Sequence, residues 1–233
     1  MRVSLILKEW NELPEEMRNN SVKRYYDFLR EKRGSLFFKR LFDIFMACFA
    51  LLILSPIIIL ISVAIKFDSK GPVMFRQVRV TQYGREFKIF KFRTMVNNAE
   101  KVGSQVTTKD DNRITKVGNL LRKLRIDEIP QLFNIILGDM SFVGTRPEVV
   151  KYVNEYTDDM IATLLLPAGI TSEASILYKD EAELLNGVEN VDKTYINEVL
   201  PQKMKYNLKS LETFSFFNDI RTMVKTIFAV IKK

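Results

Sequence analysis

The chain has 233 residues, 47% of them apolar, which is enough for one cored domain, alone or with an appendage, and excludes disorder as its main state. It holds no histidine and one cysteine, Cys48, so imidazole acid–base chemistry, a disulfide scaffold and a cysteine zinc site are excluded. The net charge of +8 comes from 36 Lys+Arg against 28 Asp+Glu, a surplus that suits nucleic acid, anionic headgroups or a phosphorylated small molecule.

Residues 1–38 mix charge with Trp10, Tyr25, Tyr26, Phe28, Phe37 and Phe38. They read as an amphipathic extension of helical segments that either meet headgroups or join a core.

Residues 39–66 hold the run LFDIFMACFALLILSPIIILISVAI, whose stretch Ile44 to Ile65 would rise about 33 Å as a straight helix. That length suffices for a hydrocarbon core of about 30 Å. Two features oppose a plain crossing. Ser55-Pro56 lies near the middle, where proline removes a backbone donor and clashes with the preceding turn, so a break is expected there. Basic residues flank both ends: Lys32, Arg33, Lys39 and Arg40 before, then Lys66, Lys70, Arg76 and Arg79 after. The positive-inside rule then puts both ends on the cytoplasmic side. A re-entrant helix satisfies both, provided the Ser55 hydroxyl, water or neighbouring protein satisfies the opened backbone.

Residues 67–150 read as the catalytic core. PVMFRQVRV and REFKIFKFRTM alternate apolar and basic residues and predict a hairpin around Gln82 to Gly84, one face apolar and the other bearing Arg76, Arg79 and Lys88. The cluster Lys88, Lys91, Arg93 and Thr94 offers several fixed donors to a phosphate or forms a solvated sheet face. A helix is predicted over Lys116 to Leu124, followed by Asp127-Glu128 among Arg122, Lys123 and Arg125, and then by Gly-Thr-Arg-Pro at 144–147. Without histidine, a carboxylate nucleophile or a carboxylate-bound Mg²⁺ is the natural means of handling a phosphate ester. Residues 151–233 read as a helical region. It ends with Ile220, Met223, Val224, Ile227, Phe228 and Ile231 at helical spacing among Arg221, Lys225, Lys232 and Lys233, a helix for a membrane surface or a core.

The run KRLFDIF, LSP, GPVMFRQVRV, FKIFKFRTM and DDNRITKVGNLLRKLRIDEIPQLFNIILGDMSFVGTRPE, in order over residues 39–148, resembles the bacterial sugar transferase family, the monotopic phosphoglycosyl transferases. LPAGIT and the final helix continue the likeness more loosely. The resemblance implies transfer of a sugar 1-phosphate from a UDP-sugar to undecaprenyl phosphate with release of UMP, the first membrane step of polysaccharide or glycoconjugate synthesis (exopolysaccharide, capsule or lipopolysaccharide). It implies Mg²⁺ as cofactor and the cytoplasmic face of the bacterial inner membrane as the location. It matches Ser55-Pro56 to the break in a re-entrant helix, Asp127 to the nucleophile, and Glu128 to a partner acting on metal or proton transfer, with Asp127 and Glu128 as metal ligands. Arg146 matches the family's phosphate-holding arginine; Arg122, Arg93 and Lys91 are further candidates, and nearby cations would keep Asp127 ionised. The usual Gly-Pro-Arg-Pro is altered by Thr145, and SEASILYKDEAELLNG at 172–187 departs from the family pattern.

The expected architecture is α/β: a monotopic membrane protein with a re-entrant helix broken at Ser-Pro, a small β-hairpin or sheet and several amphipathic helices. A non-catalytic membrane-anchored scaffold and a glycosyltransferase releasing UDP are the alternatives. Nucleic acid is not expected as a partner, since it explains neither the apolar block nor the carboxylate pair.

Overall fold

The computed structural model describes residues 7–97, 99, 112–179, 181–185, 188 and 190–231. Lys232 and Lys233, and the Asp110-Asp111 part of the long motif, lie outside the described residues.

Helix α1 (Asn20–Glu31) starts where the Asn19 side chain accepts from Val22 N at 2.8 Å, an N-cap that satisfies a free amide of the first turn. Its buried Val22, Tyr25, Tyr26 and Leu29 join Leu13, Met17, Leu165, Leu211 and Phe214 in one core. Of the two readings of the N-terminal extension, core packing holds for this part, whereas Phe37 and Phe38 are exposed.

Helix α2 (Arg33–Asp68) begins before residue 39 and contains the whole apolar run. It is the one described helix long and apolar enough to cross a membrane by length and composition. Its backbone stays helical through Ser55-Pro56, so the expected break does not take the form of a non-helical segment. Pro56 cannot donate to the Leu52 carbonyl one turn back, and Ser55 Oγ donates to that same carbonyl at 2.8 Å. The hydroxyl replaces the missing amide as the donor to that carbonyl.

One stripe of α2 faces protein along its whole length. Leu36, Lys39, Arg40, Asp43 and Ala47 are buried near its start and Ile61 and Ile65 near its end, at spacings of three and four. The opposite stripe, including Phe45, Phe49, Leu52, Ile53, Leu60 and Phe67, is exposed.

The polar members of the start stripe are fasteners. Arg40 donates to the carbonyls of Ile135 and Ile136, Lys39 bonds the Val143 carbonyl and pairs with Asp219 at 2.6 Å, and Asp43 accepts from Phe142 N. Lys39 and Arg40, two of the basic residues that flank the apolar run, point inward, because unpaired carbonyls and a carboxylate compete for them.

Strands β1 (Met74–Val80) and β2 (Glu86–Phe92) form the expected antiparallel hairpin around the turn Gln82–Gly84, with Gln77 opposite Ile89. The expected separation of charge between the faces does not hold. Arg76 and Lys88 face outward, but Arg79 and Lys91 share the inner face with Phe87 and Ile89, because the pleat alternates and their parity is that of the core residues.

Helix α3 (Lys116–Lys123) is capped by Thr115 and tied to the end of α2 by Val117 N donating to Asp68. Helix α4 (Gln131–Leu137) leads into β3 (Met140–Val143), which pairs in parallel with β4 (Ala168–Thr171) across the short helices α5 (Val150–Val153) and α6 (Asp158–Ile161). Short helices α7 (Glu173–Leu177), α8 (Glu181–Leu184) and α9 (Val191–Thr194) then lead through a π-helical turn, Tyr195–Val199, into α10 (Leu200–Glu212) and α11 (Phe216–Ile231).

Helix α11 turns polar residues toward the protein and exposes large apolar ones beside Arg221 and Lys225. Asp219, Thr222 and Thr226 face the protein, with Thr226 Oγ1 2.7 Å from Thr171 Oγ1, while Phe217 is 82% exposed and Val224, Ile227 and Phe228 also face outward. It lies against α2, where the rings of Phe42 and Phe216 meet edge to face at 5.4 Å. The architecture is thus mixed helix and small sheets, with one long apolar helix near the N-terminus.

Candidate active site

Asp127 and Glu128 occupy the tight link between α3 and α4. Helix α3 ends in a Schellman motif: Ile126 N donates to the Leu121 carbonyl and Arg125 N to that of Arg122. This requires Arg125 in the left-handed region at φ 55°, a conformation costing a non-glycine residue about 1–2 kcal/mol. Phe92 N donates to the Asp127 carbonyl at 2.9 Å and fixes the turn to the end of β2. Buried Asn134 of α4 completes the frame, accepting from Phe90 N at 2.8 Å and donating to the Lys88 carbonyl at 3.1 Å, so that its amide pairs with β2 as a neighbouring strand would.

This frame brings Lys91 to Glu128, with Nζ 2.8 Å from Oε1. Arg146 arrives from the other side, bonding Oε2 at 3.2 Å through one guanidinium nitrogen and Oε1 through the other. The arginine gets there because β3 and β4 run on into a very close crossing. Gly144 N donates to the Thr171 carbonyl and Gly169 N to that of Thr145, and a Cβ on Gly169 would lie 2.1 Å from Gly144 N. Only glycines permit that approach. Thr145, in place of the usual proline, leaves this pairing intact because its carbonyl is the part used.

The two carboxylates are held in different states. Burial alone would raise Glu128, but Arg146 and Lys91 outweigh it and hold its carboxyl well below the ordinary value of 4.5. Asp127 is pushed above its ordinary 3.8, by burial first and by the Glu128 charge; Lys91, Arg122 and Arg146 act against this at longer range. The cations expected to keep Asp127 ionised therefore serve Glu128 first. Among the described residues the Asp127 carboxylate takes no hydrogen bond or ion pair, and Arg122, whose charge reaches it, takes none either.

Arg93 is not part of this group. Its guanidinium donates to the carbonyls of Ser69 at 2.7 Å and Lys70 at 3.2 Å and to Ser69 Oγ, closing the C-terminal end of α2. Ser55 and Pro56 lie on the exposed side of α2 and touch no site residue. Asn134, Arg79, Glu148 and Lys203 belong to the surroundings of the site and were not singled out from sequence as members of it.

Glu128 and Arg146 line a cavity of about 360 Å³. Its walls are mostly apolar, with Ala50 and Leu54 from α2 and Ala229 and Val230 from α11, and Lys123, Arg125 and Lys179 add positive charge. Those two helices are the ones that expose apolar faces outward. An anion joined to a long apolar chain would find both its requirements met here.

Residues 34–233 match the family described as bacterial sugar transferase. The chain belongs to that family. It is 37% identical over 195 residues to the UDP-N-acetylgalactosamine-undecaprenyl-phosphate N-acetylgalactosaminephosphotransferase of Aeromonas hydrophila, covering 82% of this chain and 43% of the relative. It is 35% identical over 218 residues to the UDP-glucose:undecaprenyl-phosphate glucose-1-phosphate transferase of Escherichia coli K12, covering 92% and 44%. The uncharacterized sugar transferase EpsL of Bacillus subtilis is 34% identical over 189 residues, covering 81% of this chain and 85% of the relative. The chain thus spans less than half the length of the first two sugar transferases. The matched region holds Asp127, Glu128, Arg146 and both outward-facing helices and leaves out α1 and what precedes it.

Proposed function

We propose that the protein transfers a sugar 1-phosphate from a UDP-sugar to undecaprenyl phosphate, releasing UMP, by way of a phosphosugar bound to Asp127. The observation that carries this reading is the pairing of a half-buried Asp127, whose carboxylate takes no partner among the described residues, with a Glu128 locked between Lys91 and Arg146, beside a cavity walled by α2 and α11. The sugar transferase relatives named for this reaction support the substrate class.

In the first half, an Asp127 oxygen attacks the phosphorus that carries the sugar. The bond from that phosphorus to the bridging oxygen breaks, and the oxygen leaves with UMP. In the second half, an oxygen of undecaprenyl phosphate attacks the same phosphorus and the bond to Asp127 breaks, which regenerates the carboxylate. Arg146, Lys91 and Arg122 offset the charge that builds on the phosphoryl oxygens. Glu128, held ionised by two cations, is a poor proton acceptor; its role is to hold Lys91 and Arg146 in place.

Mg²⁺ fits the described residues in one way only. Both Glu128 oxygens are engaged by Lys91 and Arg146, and no three ligand side chains cluster among the described residues. That leaves Asp127 as the protein ligand, with substrate phosphates and water completing the shell, a common arrangement for this ion. When bound, the ion would offset diphosphate charge.

The membrane reading is monotopic, with α2 entering and leaving by one face, which requires the continuous helix to bend at Ser55-Pro56, where the proline ring crowds the preceding turn. Both halves of α2 pack on the core that carries the site: Ala47 against Leu132 and Ile135, and Ile61 and Ile65 against Phe92 and Leu121. A helix that crossed the bilayer would carry one half away from that core. The outward apolar faces of α2 and α11 supply the binding surface, and the site would lie at the cytoplasmic headgroups, where UDP-sugars occur. Ile227→Asp with Phe228→Asp should lower the fraction of purified protein that floats with vesicles of bacterial lipid at low lipid concentration, α2 keeping the rest bound, since each buried side chain of this size contributes about 1.5–3 kcal/mol. Unchanged flotation would remove α11 from the surface.

The reaction is tested by incubating protein in nanodiscs with Mg²⁺, undecaprenyl phosphate and a panel of UDP-sugars and measuring UMP against UDP. UMP is expected. UDP would indicate a plain glycosyltransferase, and absence of both nucleotide release and nucleotide-sugar binding would indicate a scaffold.

A further inference from the structure

Two cavities of substrate size meet at Arg146. One is the mostly apolar cavity of about 360 Å³ beside α2 and α11; the other, of about 140 Å³, is lined by Arg79, Glu148, Tyr152, Glu181, Tyr195 and Lys203. Among the described residues Arg146 is the one that lines both. A third cavity at Arg146, of about 10 Å³, holds a water at most. A closed space of about 150 Å³ accepts one six-membered ring, so the charged cavity has the size of a sugar ring and is too small to enclose a nucleoside diphosphate.

The polar groups of this cavity leave acceptors over. Glu148 is 6% exposed, and its Oε1 accepts from Tyr195 Oη at 2.5 Å and from Lys203 Nζ at 3.3 Å. Its Oε2 takes no hydrogen bond among the described residues; Arg79 comes no closer to it than 4.0 Å and is engaged with Gln77 and the Pro147 carbonyl. Lys203 also donates to Tyr195 Oη at 2.7 Å and to Glu181 Oε2 at 2.9 Å, and Glu181 Oε1 has no partner among the described residues. Burial alone would raise Glu148, but Lys203 and Arg79 outweigh it and hold the carboxyl below its ordinary 4.5, so at neutral pH it accepts and does not donate. Lys203 and Arg79 are thus engaged while two carboxylate oxygens lack donors, a costly state for a buried acceptor. Hydroxyl groups would supply what is missing.

The order of bond making and breaking points the same way. Attack and departure at phosphorus lie in line, so UMP leaves opposite Asp127 and the acceptor phosphate later enters on that same side. The sugar stays on the phosphorus through both halves and must lie off this line, clear of the apolar cavity that suits the lipid. With the phosphate at Arg146, which also feels the charges of Glu148 and Glu181, the charged cavity is the one left. We propose that this cavity is the sugar subsite, with Glu148 and Glu181 as specificity-determining residues that accept hydrogen bonds from hydroxyls of the sugar ring. The proposal rests on sugar-phosphate transfer at Asp127.

The test compares two ligands that differ by the sugar alone. On the full chain in nanodiscs, kcat/KM is measured for the UDP-sugar that the unmodified protein uses, and Ki for UDP as a competitor in the same UMP assay. Glu148→Gln should lower kcat/KM for the UDP-sugar about tenfold or more and leave Ki for UDP within about twofold, because UDP has no group in the cavity. A merely structural role would weaken both ligands together. That outcome, or an unchanged kcat/KM, overturns the subsite while UMP release by the unmodified protein keeps the transfer reading standing. Should Glu148→Gln fail to fold, Glu181→Gln, at a partly exposed position, carries the same comparison. If the unmodified protein releases no UMP with any UDP-sugar, the transfer reading fails and the subsite falls with it.

Discussion

Asp127→Asn is expected to abolish UMP release, by at least about 10³-fold, and to melt no lower than the unmodified protein. The first expectation follows from the amide's inability to form the phosphosugar bond. The second follows from linkage. The folded-state pKa of Asp127 lies above its ordinary value, chiefly through burial, so at neutral pH the ionised aspartate costs the folded state stability that a neutral amide does not. Labelled sugar phosphate should stay attached to the unmodified protein when the acceptor is withheld and should be absent from the variant. A variant that lost activity together with a large fall in melting temperature would point to a structural role for Asp127.

Arg146→Met should lower kcat/KM by about 10²–10³-fold, the usual loss when one preorganised donor to a reacting oxyanion is removed. The bidentate contact with both Glu128 oxygens makes a sharper statement possible. Arg146→Lys should recover little, because an ammonium cannot reach Oε1 and Oε2 in the planar fork geometry, and Lys91 already supplies a point charge at Oε1. Near-full activity of the lysine variant in the UMP assay would show that charge alone matters there and would remove the geometric argument.

Much of this site could be read in the chain because its signals are local. The hairpin, the helix over Lys116–Lys123 and the carboxylate pair beyond it each depend on neighbours in sequence, and Lys91 follows from strand parity. Arg93 has the same parity, yet it lies one residue past β2, where the carbonyls ending α2 capture it. Lys39 and Arg40 read in sequence only as flanking charges for a similar reason: what draws them in, the Val143 carbonyl ending β3 for one and the carbonyls ending α4 for the other, lies about a hundred residues away, which no window of sequence shows. The Glu148–Tyr195–Lys203 group is the extreme case, since a buried lysine in an amphipathic helix looks like any solvated one until its carboxylate is found. Ser55 ran the other way. Its service to the backbone is legible beside Pro56, but the helix that runs on unbroken past the proline is not.

The attachment of both halves of α2 to the core has a kinetic consequence. On the proposed monotopic reading, with the helix fixed to the carboxylate pair along its length, the height of Asp127 above the bilayer is set by the fold, and the proposed lipid acceptor reaches it by lateral diffusion. The relevant acceptor concentration is then a surface density. Adding inert phospholipid at constant total undecaprenyl phosphate should slow the second half-reaction, whereas diluting vesicles in buffer at fixed mole fraction should leave it unchanged.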